Sequence, residues 1–102
     1  MTKRKSYKDH LYKKLQDPEL SSAYLDEALK DDDIHVFLLA LRDIAEARGG
    51  IKEIAEKAHL NKESLYRTLS SKGNPKISSL KALMGAFGME LSVRPKKEYK
   101  NQ

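Results

Sequence analysis

The 102-residue chain has no cysteine, which excludes a disulfide framework, a thiolate metal site and a cysteine nucleophile. Long apolar runs are missing as well. The longest, Ile34–Leu41, is interrupted by His35 and is far too short to span a bilayer. The opening stretch MTKRKSYKDHLYKK is basic and lacks the apolar h-region of a secretory signal. The expectation is a soluble, cytoplasmic protein with no membrane association. Only three histidines occur, His10, His35 and His59, scattered without ligand spacing, so no metal or other cofactor is expected. Ser64 and Ser70 have no His/Asp arrangement in the pattern, and no catalytic set can be assembled. The chain reads as a binding protein and not as an enzyme.

What the chain does have is charge, and the charge is segregated. Twenty lysines and arginines face fifteen carboxylates, a formal net charge of +5. A basic balance is the footprint of a polyanion binder, although weak support when taken alone. Residues 1–16 carry Lys3, Arg4, Lys5, Lys8, Lys13 and Lys14 against Asp9. Residues 17–33 reverse this, setting seven carboxylates against Lys30, either as a solvated face or as a dock for a basic partner. From 61 to 81 the chain is basic again, with Lys62, Arg67, Lys72, Lys76 and Lys81 against Glu63.

The apolar spacing is helical nearly throughout. Tyr7, Leu11 and Leu15 mark a thin stripe on a first, basic helix. Asp17 and Pro18 supply an N-cap and an N1 residue for a second, with Leu20, Tyr24, Leu25, Ala28 and Leu29 inward. Asp33 or Asp32 caps a third, whose wide face is Ile34, Phe37, Leu38, Leu41, Ile44 and Ala45, and Gly49-Gly50 ends it. After residue 69, Gly73, Asn74 and Pro75 force a loop. Ser78 or Ser79 then caps a last helix with Leu80, Leu83, Met84 and Phe87 inward, closed by Gly88. Residues 89–94 alternate apolar and polar, which predicts a short strand or extended segment, able to pair with the same segment of a second subunit. The sequence thus divides into a basic N-terminal arm or helix (1–16), a helical domain (17–93) and a charged, flexible tail (94–102).

Residues 51–69, IKEIAEKAHLNKESLYRTL, form the most informative stretch, because they read as a helix-turn-helix. Ile51, Ile54, Ala55 and Ala58 fall on one side of a short helix, and the small Ala55 lets a second helix cross closely. Leu60 plugs the turn and Asn61 caps the second helix, on which Leu65 and Leu69 face inward. Lys62, Glu63, Tyr66 and Arg67 are left outward on the half that a major-groove reader must present. Arg67 is the leading base-contact residue, since a guanidinium can bind guanine O6 and N7 bidentately, worth roughly 1–3 kcal/mol of discrimination. Asn61 and Lys62 sit where a phosphate or base edge arrives, with pure capping as an equal reading for Asn61. Glu63 could accept from cytosine N4, but repelling phosphates and orienting Arg67 one turn on is the better reading. Tyr66 suits a thymine methyl or a phosphate, or a half-buried position. Lys72, Asn74 and Lys76 in the following loop, and Lys52 on the first motif helix, suit phosphate contacts.

With these residues in view, the sequence resembles the phage-repressor class of helix-turn-helix proteins. More narrowly it is similar to HigA-like addiction module antidotes, also described as prophage DNA-binding proteins. The resemblance spans about residues 17–93 and is carried by DPE followed by AYLDEAL, FLLALRDIAEARGGIKEIAEKA, LNKESLYRTLSSKGNP and LKALMGAFGMELSV. It implies a phage-repressor-like all-α bundle with an N-terminal helical extension and a short C-terminal extended segment. It also implies a homodimer on a palindromic double-stranded DNA operator, often its own promoter, and a small basic toxin of the RelE/ParE type. The alternatives are a free-standing prophage regulator without a toxin, or a protein-interaction module that no longer reads DNA. One position departs from the family pattern. His59 stands where the turn usually has Gly, and the turn approaches the left-handed region, where a Cβ costs roughly 1 kcal/mol. Histidine tolerates that region better than most residues.

Overall fold

The computed structural model describes the backbone of residues 3–97 and the side chains of residues 7–97. Six α-helices follow one another: α1 Lys3–Lys14, α2 Pro18–Leu29, α3 Ile34–Ala47, α4 Ile51–Ala58, α5 Lys62–Thr68 and α6 Ile77–Ala86. The all-α expectation holds.

Helix starts follow the local chemistry. Asp17 accepts from the Glu19 backbone N–H at 2.9 Å and Asp33 from that of His35 at 3.0 Å, so each satisfies an otherwise orphaned donor. The His35 N–H, and then its ring at 2.9 Å, hold the Asp33 carboxyl below the usual carboxylate range. The last helix differs from expectation. It begins at Ile77 with Lys76 as an extended N-cap and no side-chain cap bond, so Ser78 and Ser79 lie inside it.

The ends of α3, α4 and α6 share one device. Gly49, His59 and Gly88 all have positive φ, at 112°, 59° and 76°. At each, the following N–H reaches back five residues: Gly50 to Ala45, Leu60 to Ala55 and Met89 to Met84, all at 2.8–2.9 Å. This is the Schellman closure, which satisfies terminal carbonyls and turns the chain.

α3 is the axis of the bundle, with Leu38, Leu41, Ile44 and Ala45 at most 1 % exposed. One core joins them to Leu15, Leu25, Phe37, Ile51, Ile54, Leu65, Leu69, Leu83, Met84 and Phe87. At about 25 cal/mol per Å² of apolar surface, this shared burial is what makes short helices such as α4 and α5 hold their places. Polar groups lock the junction of α1, α2, α3 and α6. Arg48 donates to the Leu15 carbonyl (3.1 Å), the Phe87 carbonyl (2.9 Å) and Ser21 Oγ (3.0 Å), while fully buried Ser21 donates to the same Leu15 carbonyl at 2.7 Å. Tyr24 on α2 donates to Asp43 on α3 at 2.7 Å. Burial, and then this bond, push the Tyr24 hydroxyl well above the usual phenol range.

One expectation changes. Tyr7, Leu20, Leu29 and Ile34 are exposed, because the periodic stripes are wider than the neighbours that cover them. Leu15 and Leu25 bring α1 and α2 into the common core, so all six helices share it. Of the two alternatives for residues 89–94, strand or extended segment, the strand does not occur among the described residues. Residues 89–97 run without regular structure, with Met89 against the core, Val93 fully exposed and Arg94 3.6 Å from Asp26. A strand needs a hydrogen-bonded neighbour, and beyond the Met89 N–H that closes α6 the segment has no backbone hydrogen bond among the described residues. Most of the flexible tail expected after residue 93 (98–102) lies outside the described residues, and 94–97 are exposed.

Candidate nucleic-acid interface

The geometry of α4 and α5 follows from a few residues. α4 buries Ile51, Ile54, Ala55 and Ala58 in the core, with the small Ala55 2 % exposed. His59 ends it at φ 59°, ψ 42°, in the left-handed region, so the histidine does adopt the conformation that usually selects glycine. Leu60 packs on the core, and Asn61 opens α5 by accepting from the Ser64 N–H at 2.8 Å. α5 then buries Leu65 and Leu69, at 4 % and 0 % exposure.

With those two leucines inward, the opposite face is free. Asn61, Lys62, Glu63, Tyr66 and Arg67 are all exposed. Arg67 makes one weak contact, Nη2 to Ser64 Oγ at 3.4 Å. No ion pair joins Glu63 to Arg67 among the described residues. Asn61 has its side-chain oxygen engaged in capping, which leaves its amide nitrogen as the group able to meet a ligand. Tyr66 is 42 % exposed, with the Arg42 guanidinium 5.5 Å from its ring centroid. Such stacking is worth about 0.5–1 kcal/mol at exposed sites. Arg42 was not legible as a site residue, because it sits on the polar flank of α3, far in sequence from the ring it covers.

The loop after α5 is built against that helix. Ser70 Oγ donates to the Arg67 carbonyl at 2.7 Å and accepts from the Lys72 N–H at 3.3 Å. A Cβ at Gly73 would lie 1.7 Å from the Thr68 carbonyl oxygen, so only glycine permits this approach. The loop thereby presents Lys72, Asn74 and Lys76, all exposed, next in the chain to the free face of α5. Lys52 is exposed on the first turn of α4. Five charged or polar groups on α5 and three on the loop form one continuous segment, with Lys52 contributed from the helix before it. The histidines stay apart: His10 is exposed on α1, His35 bonds Asp33, and His59 is in the turn.

The sequence model of the family described as "Probable addiction module antidote protein" matches residues 6–95. The chain belongs to this antidote family. A relative from Haemophilus influenzae, described as an uncharacterized protein, is 39 % identical over 71 residues, which cover 70 % of this chain and 72 % of its own length. No solved structure matches. Membership supports an antitoxin role and implies a toxin as partner of this antidote. Among the described residues, no helix of the antidote is long and apolar enough to cross a membrane.

Proposed function

We propose that the chain is a sequence-specific DNA-binding antitoxin, HigA-like, that represses its own operon and neutralises a RelE/ParE-type toxin by stoichiometric binding. The antitoxin part rests on family membership. The DNA-binding part rests on one observation: α5 buries Leu65 and Leu69 while Lys62, Tyr66 and Arg67 are left to solvent. A helix docked this way can enter a major groove without moving the core. In this phage-repressor-like helix-turn-helix, α4 is the first motif helix and α5 the reader. Arg67 contacts base edges, Asn61, Lys62 and Tyr66 contact bases or phosphates at the groove edge, and Lys52, Lys72, Asn74 and Lys76 contact phosphates. Exposed Glu63 limits how closely a phosphate approaches. A homodimer would place two such helices in successive major grooves about 34–36 Å apart on a pseudo-palindrome.

Gel shifts of the full chain on the DNA upstream of its own gene, against a scrambled duplex, test the regulator. Preferential retardation by wild type, reduced by Arg67→Ala, is expected. Equal, weak retardation of both duplexes by both proteins would remove it. Co-expression with the product of the adjoining reading frame tests the antitoxin: growth inhibition by that product alone, relieved by this chain, is expected.

A further inference from the structure

A groove of about 610 Å³ runs along the outer side of α2, the turn after it and α3, and includes no residue of α4, α5 or α6. Its floor is apolar, formed by Ala28, Val36, Leu39 and Ala40. Val36 and Leu39, in the first half of α3, are 38 % and 43 % exposed and adjoin one another on the same groove, a contiguous apolar patch of the kind that marks interaction sites. Its rim is acidic: Glu27, Asp31 and Asp43, with Lys30 tied to Glu27 at 3.4 Å. The Tyr24–Asp43 hydrogen bond, 2.7 Å, joins the two helices across the groove and holds the Asp43 carboxylate in place. Two of its three carboxylates, Glu27 and Asp31, belong to the stretch 17–33, where seven carboxylates face one lysine in a chain whose net charge is +5. An apolar floor inside an anionic rim is complementary to one kind of element, an amphipathic segment with aliphatic side chains on one side and lysine or arginine flanking them.

We infer that the α2/α3 groove is the toxin-docking surface of this antidote, and that it takes a cationic amphipathic segment of the toxin. This rests on the antitoxin reading above. The aliphatic side chains of that segment sit over Val36 and Leu39, and its cations meet Glu27, Asp31 and Asp43. Because no residue of α4 or α5 lines the groove, toxin and DNA occupy different parts of the antidote and can be held together.

The test is calorimetric titration of the full chain with the purified product of the adjoining reading frame. Two double variants are compared with wild type: Val36→Ser with Leu39→Ser for the floor, and Glu27→Lys with Asp31→Lys for the rim. Glu56→Lys, an exposed charge reversal on α4 outside the groove, is the control. Each groove variant is expected to raise Kd at least tenfold while keeping the wild-type melting temperature within a few degrees and wild-type operator retardation. The control is expected to change Kd less than twofold. Wild-type affinity in both groove variants, or an equal loss in the control, overturns the groove and leaves the antitoxin reading standing. Conversion of a dimer to a monomer by the groove variants in sedimentation would also overturn it, since the face would then be a self-interface. If wild type neither binds the product nor relieves its growth inhibition, the antitoxin reading fails and the groove inference falls with it.

Discussion

Arg48 and Arg67 carry the same side chain in opposite surroundings. Arg48 spends three hydrogen bonds on Leu15, Phe87 and Ser21, from elements 27 to 39 residues away, and lies 5.8 Å from the Phe87 ring centroid. Arg67 has one 3.4 Å contact, to its own helix, and is otherwise exposed. A guanidinium whose three nitrogens each donate to a protein acceptor holds the fold together. One whose donors are left to water is free for a ligand. The same contrast separates two regions of the molecule: the α1–α2–α3–α6 junction is internally satisfied, and the α5 face is not.

The contrast can be broken at its strong end first. Arg48→Ala leaves two carbonyls and the buried Ser21 hydroxyl short of a donor, and should destabilise by about 2–4 kcal/mol, read as a lowered urea midpoint. Arg48→Lys should recover little of it, because an ammonium cannot span three directed acceptors. Gly73→Ala comes next. Its new Cβ meets the Thr68 carbonyl oxygen, so the loop must shift, at about 1–3 kcal/mol and with loss of the phosphate contacts proposed for it. Lys72→Ala and Lys76→Ala, on the ligand side, should leave the urea midpoint unchanged. Each should weaken DNA binding equally across sequences and lower the slope of log K against log salt by about 1. The smallest effect is at Asp33. Its carboxyl is held below the usual range in the folded state, so its contribution is present above its unfolded pKa of about 4 and is lost as pH falls through the lower folded value. The melting temperature of Asp33→Ala should therefore lie below that of wild type at pH 7 and converge on it toward pH 2.

The two regions were not equally legible in the sequence. The inward set Ile51, Ile54, Ala55, Ala58, Leu65 and Leu69 and the caps Asp17, Asp33 and Asn61 follow from local spacing and side-chain chemistry, and the structure has all of them. The left-handed turn at His59 was legible from the resemblance alone, as the position where the family pattern has Gly. Arg48 was not, because its partners are distant in sequence and it reads locally as one more basic residue near a helix end. Leu20, Leu29 and Ile34 were placed inward because periodicity marks a face and cannot say how much of it a neighbour will cover. Arg42 over Tyr66 and the close approach at Gly73 are likewise products of tertiary placement. The α2/α3 groove was visible only as charge: the acidic run 17–33 is in the sequence, and the apolar floor beside it is not. For the α5 face, the sequence placed the side chains outward correctly, and what they touch beyond the protein is the proposal.

The most direct test of that proposal is fluorescence anisotropy of wild type and Arg67→Ala on a labelled duplex from upstream of the chain's own gene, against a scrambled duplex at the same salt, with urea midpoints measured in parallel. The account predicts that Arg67→Ala keeps its stability within about 0.5 kcal/mol and loses about 1–3 kcal/mol of discrimination between the duplexes. An Arg67→Ala protein that discriminates as well as wild type, or a wild type that does not discriminate at all, would contradict it.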